Sequence, residues 1–412
     1  MKIYNNIIAG SGPIGCHIFN KIKKNSILIT GETNKNIFSN TIHPKVRVEL
    51  NNQTNKFADL IYSKKNNFSI YSSSEIAGLT NYWGQQFFDY KKNELWPRKI
   101  FKRYSLYKKN LEKIDNKYPS FKSKIISKNN INKLTINKFS PPVVKKAIVN
   151  KFKLKKIAKK KLISDRVVSF RKIKKNLIEV ITEKKIFYCK RFILCAGPIG
   201  NALILIRSFK PIKSVKFNDD NPRLIFGLRT NKVKEIISKN HKLIDVDIRR
   251  NNKSIVYSTI FNFNPNHFNK LLQPIINLCK RFLSKLFYYG IFWVSNEYNE
   301  IKISYNNKKI SISGKNMNSN INKVNTIKNL DEVNLRVLKI WNLKFAYGFH
   351  YHNLKLNFKG KYLSLNQFIK KMKLNKNIYC FDSSIIDKIA NKPPTKTYLA
   401  TANYLIEKFQ IK

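Results

Sequence analysis

A glycine cluster set directly behind a short apolar strand constrains this chain more than any other feature. Residues 3–9 end in Ile7-Ile8-Ala9, and Gly10-Ser11-Gly12-Pro13-Ile14-Gly15 follows at once. In a strand–GxGxxG–helix unit, Gly10 permits the tight turn and Gly12 lets backbone approach a pyrophosphate. Gly15 allows the helix to pack closely on the strand. A helix read from Cys16 to about Lys23 would aim its first amide hydrogens at the phosphates. Ser26–Ile29 makes a second strand and starts a βαβ unit. The acid that holds a ribose normally ends this strand. Thr30 stands there instead, which makes Glu32 the candidate. The competing reading is a tight turn in an α/β domain that binds no nucleotide.

The opposite end of the chain carries a second constraint. An apolar strand, 377–381, ends in Asp382-Ser383-Ser384-Ile385-Ile386, then comes Pro393-Pro394-Thr395-Lys396-Thr397 and a helix from about Tyr398 to Phe409. A nucleotide site completed from the far end implies a cofactor domain closed by both termini.

Apolar residues make up 42% of the 412, enough for a substantial core, so global disorder is excluded. Lys and Arg number 81 against 23 Asp and Glu, a net charge of +58. Such an excess attracts anionic surfaces and polyanionic substrates. The basic residues run along the whole chain and form no recognisable nucleic-acid-reading module, so specific nucleic-acid binding is not expected. The five cysteines are scattered without a CxxC pair, which indicates neither a metal site nor a disulfide framework. A reducing cytoplasm is the compartment expected from this, with the first strand beginning too early for a secretory signal. No apolar run is long enough to span a membrane.

Along the chain, 34–75 is polar and Asn-rich, and 101–160 reads as a lysine-rich peripheral insert. Leu177–Thr182 and Lys185–Tyr188 look like a hairpin, Arg191–Cys195 like a buried strand, and Ile199–Ser208 like a helix. Segments 223–230, 243–249, 254–263, 300–305 and 309–313 are β-rich, and 330–342 is read as helical. The expected division is a cofactor domain over 1–214, a substrate domain over 215–330, and a return to the cofactor domain over 331–412. After Pro274, apolar residues from Ile275 to Phe287 fall on one helical face with Lys280, Arg281 and Lys285 on the rest. Such a helix either packs on protein or lies on an anionic membrane surface.

Three further segments resemble the glucose–methanol–choline oxidoreductases. Gly78-Leu79-Thr80-Asn81-Tyr82-Trp83-Gly84, followed by Leu95-Trp96-Pro97, is similar to that family's flavin-contacting GGLTNxWG loop. Phe192-Ile193-Leu194-Cys195-Ala196-Gly197-Pro198 resembles the strand ending in AAGA, and Asp165-Arg166-Val167-Val168 the position that contacts adenine. The C-terminal segment is similar to VVDxSxxPxxPxxNPTxTxxAxA. The matches cover about 1–100, 160–210 and 340–412, in the family's order.

The resemblance implies an α/β (α+β) fold: a Rossmann-like FAD-binding domain closed by N- and C-terminal segments, with a β-rich substrate domain inserted. It implies FAD on Gly10, Gly12, Pro13, Ile14 and Gly15, with Glu32 and Val167 toward the adenosine half. Asn81, Gly84, Ala196, Gly197, Asp382, Ser383, Pro394 and Thr395 would line the rest, and Thr397 would approach the ring. Ordinary turn roles for Asn81 and Asp382, and a helix cap for Thr395 or Thr397, are the alternatives. The implied chemistry is hydride transfer from an alcohol to flavin N5, with a histidine taking the hydroxyl proton. Imidazole suits that task because it titrates near neutrality. Of the six histidines, two lie in Phe349-His350-Tyr351-His352-Asn353. His352 fits the family's YHxxG pattern, and His350 is the second candidate. The chain departs from the pattern at Leu354-Lys355-Leu356, where small glycines are expected, and at Pro393, where a second His or Asn would stand.

The expected function is therefore FAD-dependent oxidation of a small-molecule or glycan alcohol, with an unassigned electron acceptor. Two alternatives stand beside it. One is an FAD-binding or basic membrane-surface protein with a decayed active site, and the other is a flavin enzyme of another type, such as an amine oxidase.

Overall fold

The structure is a computed structural model. It describes residues 2–22, 24–31, 60–61, 78, 87–119, 125–131, 134–139, 161–174, 176–220, 223–228, 243–262, 283, 286–294, 298–306, 309–317, 336–342, 350–374 and 376–411. In chain order the elements that build the site are β1 (Ile3–Ala9), α1 (Pro13–Lys21), β2 (Ser26–Thr30) and α2 (Tyr104–Lys117). Then come β3 (Leu162–Ser164), β4 (Val167–Lys174), β5 (Leu177–Thr182), β6 (Ile186–Leu194) and α3 (Gly197–Ser208). The last are β7 (Ile212–Asp220), β8 (His352–Phe358), β9 (Ile378–Cys380) and α4 (Thr395–Lys408).

β1 pairs in parallel with β2 on one side and with β6 on the other, and β2 pairs in parallel with β3. The C-terminal β9 joins this sheet beside the second half of β6, with Ile378 opposite Phe192 and Cys380 opposite Leu194. The first half of β6 instead pairs antiparallel with β5, which pairs with β4. Strands buried on both faces read as near-continuous apolar runs, and β2 (Ser-Ile-Leu-Ile-Thr) is buried at every position, with the hydroxyls at its two ends hydrogen-bonded. Alternate side chains then serve two cores. Ile7, Phe192 and Leu194 pack with α3 and with Val215, Leu354 and Leu356 of β7 and β8. Ile8, Leu28 and Ile193 pack on the other face with α1, α2 and α4 through Ile14, Phe19, Leu111 and Leu399. A Rossmann-like layer therefore lies between helices and a β-rich layer.

Two mainly antiparallel sheets make up that β-rich layer, their one parallel pairing among the described residues being that of Leu60–Ile61 with Lys309–Met317. The first runs Lys361–Ser364, β8, β7, Tyr298–Asn306, Lys309–Met317 and Leu60–Ile61. The second runs Val337–Asn342, Arg223–Leu228, Phe287–Val294, Lys253–Asn262, Leu243–Arg250, Leu134–Phe139 and Ile125–Ile131. Strands from outside 215–330 thus complete both sheets. The Leu243–Arg250/Lys253–Asn262 hairpin turns at Asn251 and Asn252, both with positive φ (50° and 60°). That is the backbone a two-residue I′ turn demands, and Asn adopts it readily.

Several expectations need revision. The 330–342 stretch is not helical where it is described: Val337–Asn342 is a strand paired with Arg223–Leu228. Val-Leu-Lys-Ile-Trp-Asn carries β-branched and aromatic residues, and an available sheet edge decides its conformation. Lys185–Tyr188 and Arg191–Cys195 are one nine-residue strand, because no turn residue separates them. The first helix starts earlier than read, at Pro13 with Gly12 as N-cap, since Pro is favoured in a first helical turn. Within the supposed peripheral insert, α2 buries Tyr107, Leu111 and Ile114 in the core. Most of the amphipathic stretch after Pro274 lies outside the described residues, while Phe287–Val294, its aromatic continuation, is a sheet strand. Among the described residues no helix is long and apolar enough to cross a membrane.

Candidate cofactor and active site

The turn between β1 and α1 gives each glycine a separate task. Gly10 has φ +102°, and a Cβ there would lie 2.4 Å from the Cys195 carbonyl oxygen and 2.7 Å from Ala196 Cα. A Cβ on Gly15 would come within 1.9 Å of the Gly10 carbonyl oxygen. These two positions are closed by packing. Gly12 is different: a Cβ there would meet nothing within 4 Å. It is the N-cap of α1, whose first turn has no side-chain cap and no acid. Open space at uncapped helix amides suits an anion such as a pyrophosphate. Pro13 begins the helix and Ile14 anchors it in the core. Behind the turn, the hydroxyls of Ser11 and Thr30 are hydrogen-bonded.

The end of β6 lies against this turn and opens α3. Gly197 has φ +70°, and nothing lies within 4 Å of where its Cβ would be, a second opening at a helix N-terminus. Its main-chain N–H donates to Asp382 Oδ2 at 2.8 Å. Asn201 Nδ2 donates to the same oxygen at 2.9 Å and to Ser384 Oγ at 2.9 Å, while Ala196 N–H donates to Asn201 Oδ1 at 3.2 Å. Asp382 Oδ1 accepts from Ser384 N–H at 2.9 Å. Asp382 therefore ties the C-terminal segment to the start of α3, with both carboxylate oxygens engaged by protein donors. Burial pushes its carboxyl up from the usual range, against the lowering effect of the Ser384, Cys380 and Gly197 donors. Ser383, buried, begins a short 3-10 turn after it.

The C-terminal segment continues to Pro394, the N-cap of α4, and Thr395, its first residue, both buried. Thr397 shares a 2.6 Å hydrogen bond with the Tyr107 hydroxyl of α2. Lys396 Nζ is paired with Asp115 at 2.7 Å and with Asp89. One turn into α4, the Tyr398 hydroxyl is buried and meets no hydrogen-bond partner among the described residues. Its surroundings include Asp220, Asp219 and Asp382, whose charges add to burial in raising its pKa. A buried phenol of this kind calls for an acceptor from a bound group. With Gly12 and Gly197 it makes the residues present a good fit to an extended dinucleotide.

The two histidines occupy distinct positions at the start of β8. His352 Nδ1 donates to the His350 carbonyl at 2.8 Å, which leaves Nε2 as the acceptor nitrogen. The residue lines a cavity of about 1090 Å³ that also includes Asn218, Asp220, Tyr298, Asn353 and Tyr362. Burial lowers the pKa of His352, opposed by the nearby Asp220 and by the His350 carbonyl. The imidazole of His350 is turned elsewhere: Nδ1 meets Asp220 Oδ2 at 2.6 Å, and the ring lies 5.8 Å from that of Trp293. The cavity is not strongly basic. Lys99 is paired with Asp387 at 2.8 Å and Glu300 with Lys216 at 2.7 Å. Leu354 and Leu356, which replace the expected glycines, are fully buried core residues of β8.

Val167 starts β4 and is buried. Just before it, Asp165 accepts from the Thr182 hydroxyl at 2.5 Å and from Arg166 N–H at 2.8 Å. Glu32, Asn81 and Gly84 lie outside the described residues. The tail of the glycine-loop motif is described: Trp96 is buried and stacks on Tyr107 at 5.6 Å. Sequence reading did not single out Asn201, Asp219, Asp220 or Tyr398 as site residues.

No family model matches the chain, and no curated protein matches it. Among solved structures, a formate oxidase of Aspergillus oryzae RIB40 is similar over 99% of this chain and 98% of its own, with 8% identity and a TM-score of 0.48. A glycine oxidase of Bacillus cereus is similar over 99% of this chain and 95% of its own, at 11% identity and a TM-score of 0.29. The tetracycline destructase Tet(51) is similar over 100% of this chain and 83% of its own, at 8% identity and a TM-score of 0.32. Likeness at this level transfers no residue, ligand or reaction to the chain.

Proposed function

We propose that the protein is an FAD-dependent oxidoreductase that oxidises an alcohol group, with His352 as the proton acceptor. The observation that carries this reading is His352 itself, a buried imidazole with one nitrogen committed to a carbonyl, on the wall of a large cavity with both polar and apolar lining. Support for the cofactor comes from the open space at Gly12 and Gly197 and from Asp382 of the C-terminal segment, which accepts from the Gly197 N–H. Gly10, Gly12 and Gly15 with the start of α1 would hold the pyrophosphate, and Tyr398 would donate to a cofactor or substrate oxygen. FAD, when bound, supplies the hydride acceptor. His352 holds the substrate hydroxyl at Nε2 and takes its proton as the carbon is oxidised. Its lowered pKa keeps the ring neutral at pH 7, the form that can accept. Pro393 offers no second proton acceptor, so the reading assigns the acid–base work to one histidine.

Amide and phenol groups around the cavity, from Asn218, Asn353, Asn366, Gln367, Tyr298 and Tyr362, suit a polyhydroxylated substrate such as a glycan alcohol. Lys99, Lys355 and Lys388 on its wall are matched by Asp220, Glu300 and Asp387, a balance that favours a neutral substrate over an acidic one. Association with anionic membrane surfaces, driven by the net charge of +58, belongs to the same proposal.

Absorbance of the purified protein, followed by anaerobic titration with sugar alcohols, tests the proposal. Yellow protein bleached by an alcohol is the expected result. Protein that neither carries nor takes up FAD would overturn it. Flavin that no alcohol reduces would favour the decayed-site alternative instead.

A further inference from the structure

We infer that Asp220 is a positioning residue: through the ring of His350 it fixes the carbonyl that sets the tautomer of His352. This inference rests on the proposed role of His352. The sheet register supplies its basis. β7 and β8 are antiparallel with Asn218 opposite His352, and continuing that register by two residues puts Asp220 opposite His350. Adjacent carboxylates then hold His350 at two points. Asp220 Oδ2 meets its Nδ1 at 2.6 Å, and Asp219 Oδ1 accepts from its main-chain N–H at 3.0 Å. Held in this way, the His350 carbonyl accepts from His352 Nδ1 at 2.8 Å. The relay runs from carboxylate to imidazole, along one residue's backbone, and on to the second imidazole. Both Asp220 and His350 are buried, so little solvent competes for these bonds. The charged and titratable groups facing His352 are Asp220 from β7, His350 from its own segment and Asp387 from the segment before α4. Lys355, Lys388 and Glu300 lie on the same cavity wall.

The test uses the full-length chain with ¹⁵N-labelled histidine and the substitution Asp220→Asn. Imidazole nitrogen signals are assigned with His350→Gln and His352→Gln variants and followed against pH. In the unsubstituted protein His352 is expected as the single Nδ1–H tautomer. Asp220→Asn should give a tautomer mixture and a His352 titration at lower pH, because a negative charge that favours imidazolium has gone. Asp220→Glu should restore the single tautomer. In kinetics, Asp220→Asn should lower kcat by about 10²–10⁴-fold, the range for a misplaced general base, and move the acid limb of kcat/KM to lower pH. An unchanged tautomer and unchanged acid limb in Asp220→Asn would overturn the inference. Should that variant fail to fold, His350→Gln serves in its place, and an unmoved His352 signal there overturns the inference equally. The nitrogen signals need no substrate, so a protein inert to every alcohol would sink the proposed function while leaving this measurement decisive.

Discussion

At the start of β8, His352 lines the cavity with Nδ1 committed to the His350 carbonyl, and burial lowers its pKa. Replacing it with Ala should slow flavin reduction by about 10²–10⁴-fold, the usual contribution of a positioned general base. Single-turnover stopped-flow absorbance measures this, and an unchanged rate would remove the residue from the chemistry. The glycines allow a sharper separation of binding from folding. Gly12→Ala adds a methyl where no protein atom lies within 4 Å, at an ordinary φ of −60°. It should leave Tm nearly unchanged while reducing FAD uptake, read by equilibrium dialysis. Gly15→Ala drives a methyl against the Gly10 carbonyl, and overpacking of this kind costs about 1–3 kcal/mol or more. That variant should lose stability whether or not FAD is present. The glycines and the histidine pair could be picked out from the sequence, because spacing and scarcity mark them. Asp220 and Asn201 could not, because they act on partners 130 and 181 residues away.

Among the elements, the segment leading into α4 is held by a buried ion cluster. Lys392 Nζ lies 2.9 Å from Glu94 Oε2 and 3.8 Å from Asp247, and Arg249 also pairs with Glu94. Burial alone would raise the Glu94 carboxyl, but Lys392, the Lys91 amide and Arg249 hold it below its usual range. The stabilisation from a depressed carboxylate is present above its unfolded value, about 4.3. It is lost as pH falls through the folded value. Lys392→Met removes one of the two cations on the buried Glu94 and should destabilise near neutrality by at most about 3–5 kcal/mol, the range for breaking a buried pair, because Arg249 remains. The difference from the unsubstituted protein should narrow as pH falls through the folded value of Glu94, which lies below the usual carboxylate range. Urea unfolding over a series from pH 7 down to about pH 3 measures both. Elements also mark where sequence reading stops. The end of β1 and the middle of β2 are legible because a doubly buried parallel strand leaves an apolar run, Ile7-Ile8-Ala9 and Ile27-Leu28-Ile29. Val337–Asn342 is not, because four apolar residues in six carry no decisive period and the partner strand lies more than 100 residues earlier.

Over the whole molecule, charge acts independently of fold. A net charge of +58 should bind vesicles containing anionic lipid at low salt and release them as salt rises. Screening sets the scale, with a Debye length of about 10 Å at 0.1 M. Co-sedimentation across a salt series checks this, and salt-independent binding would point to inserted apolar surface instead. The other molecular property is closure. β9 enters the parallel sheet beside β6, and Asp382 joins the segment after β9 to the start of α3. The cofactor cradle is thus incomplete until the two ends of the polypeptide have met.

Local patterns in the sequence determined the βαβ start, the positions of several strands and the C-terminal strand that joins the same sheet. They could do so because a turn, a helix start or a buried strand depends on neighbours within a few residues. Tertiary structure alone decided which imidazole faces the cavity, which carboxylate holds the other, and that Asp382 binds protein donors through both oxygens. Those outcomes depend on sheet register and on distances between residues far apart in the chain, which no local pattern encodes.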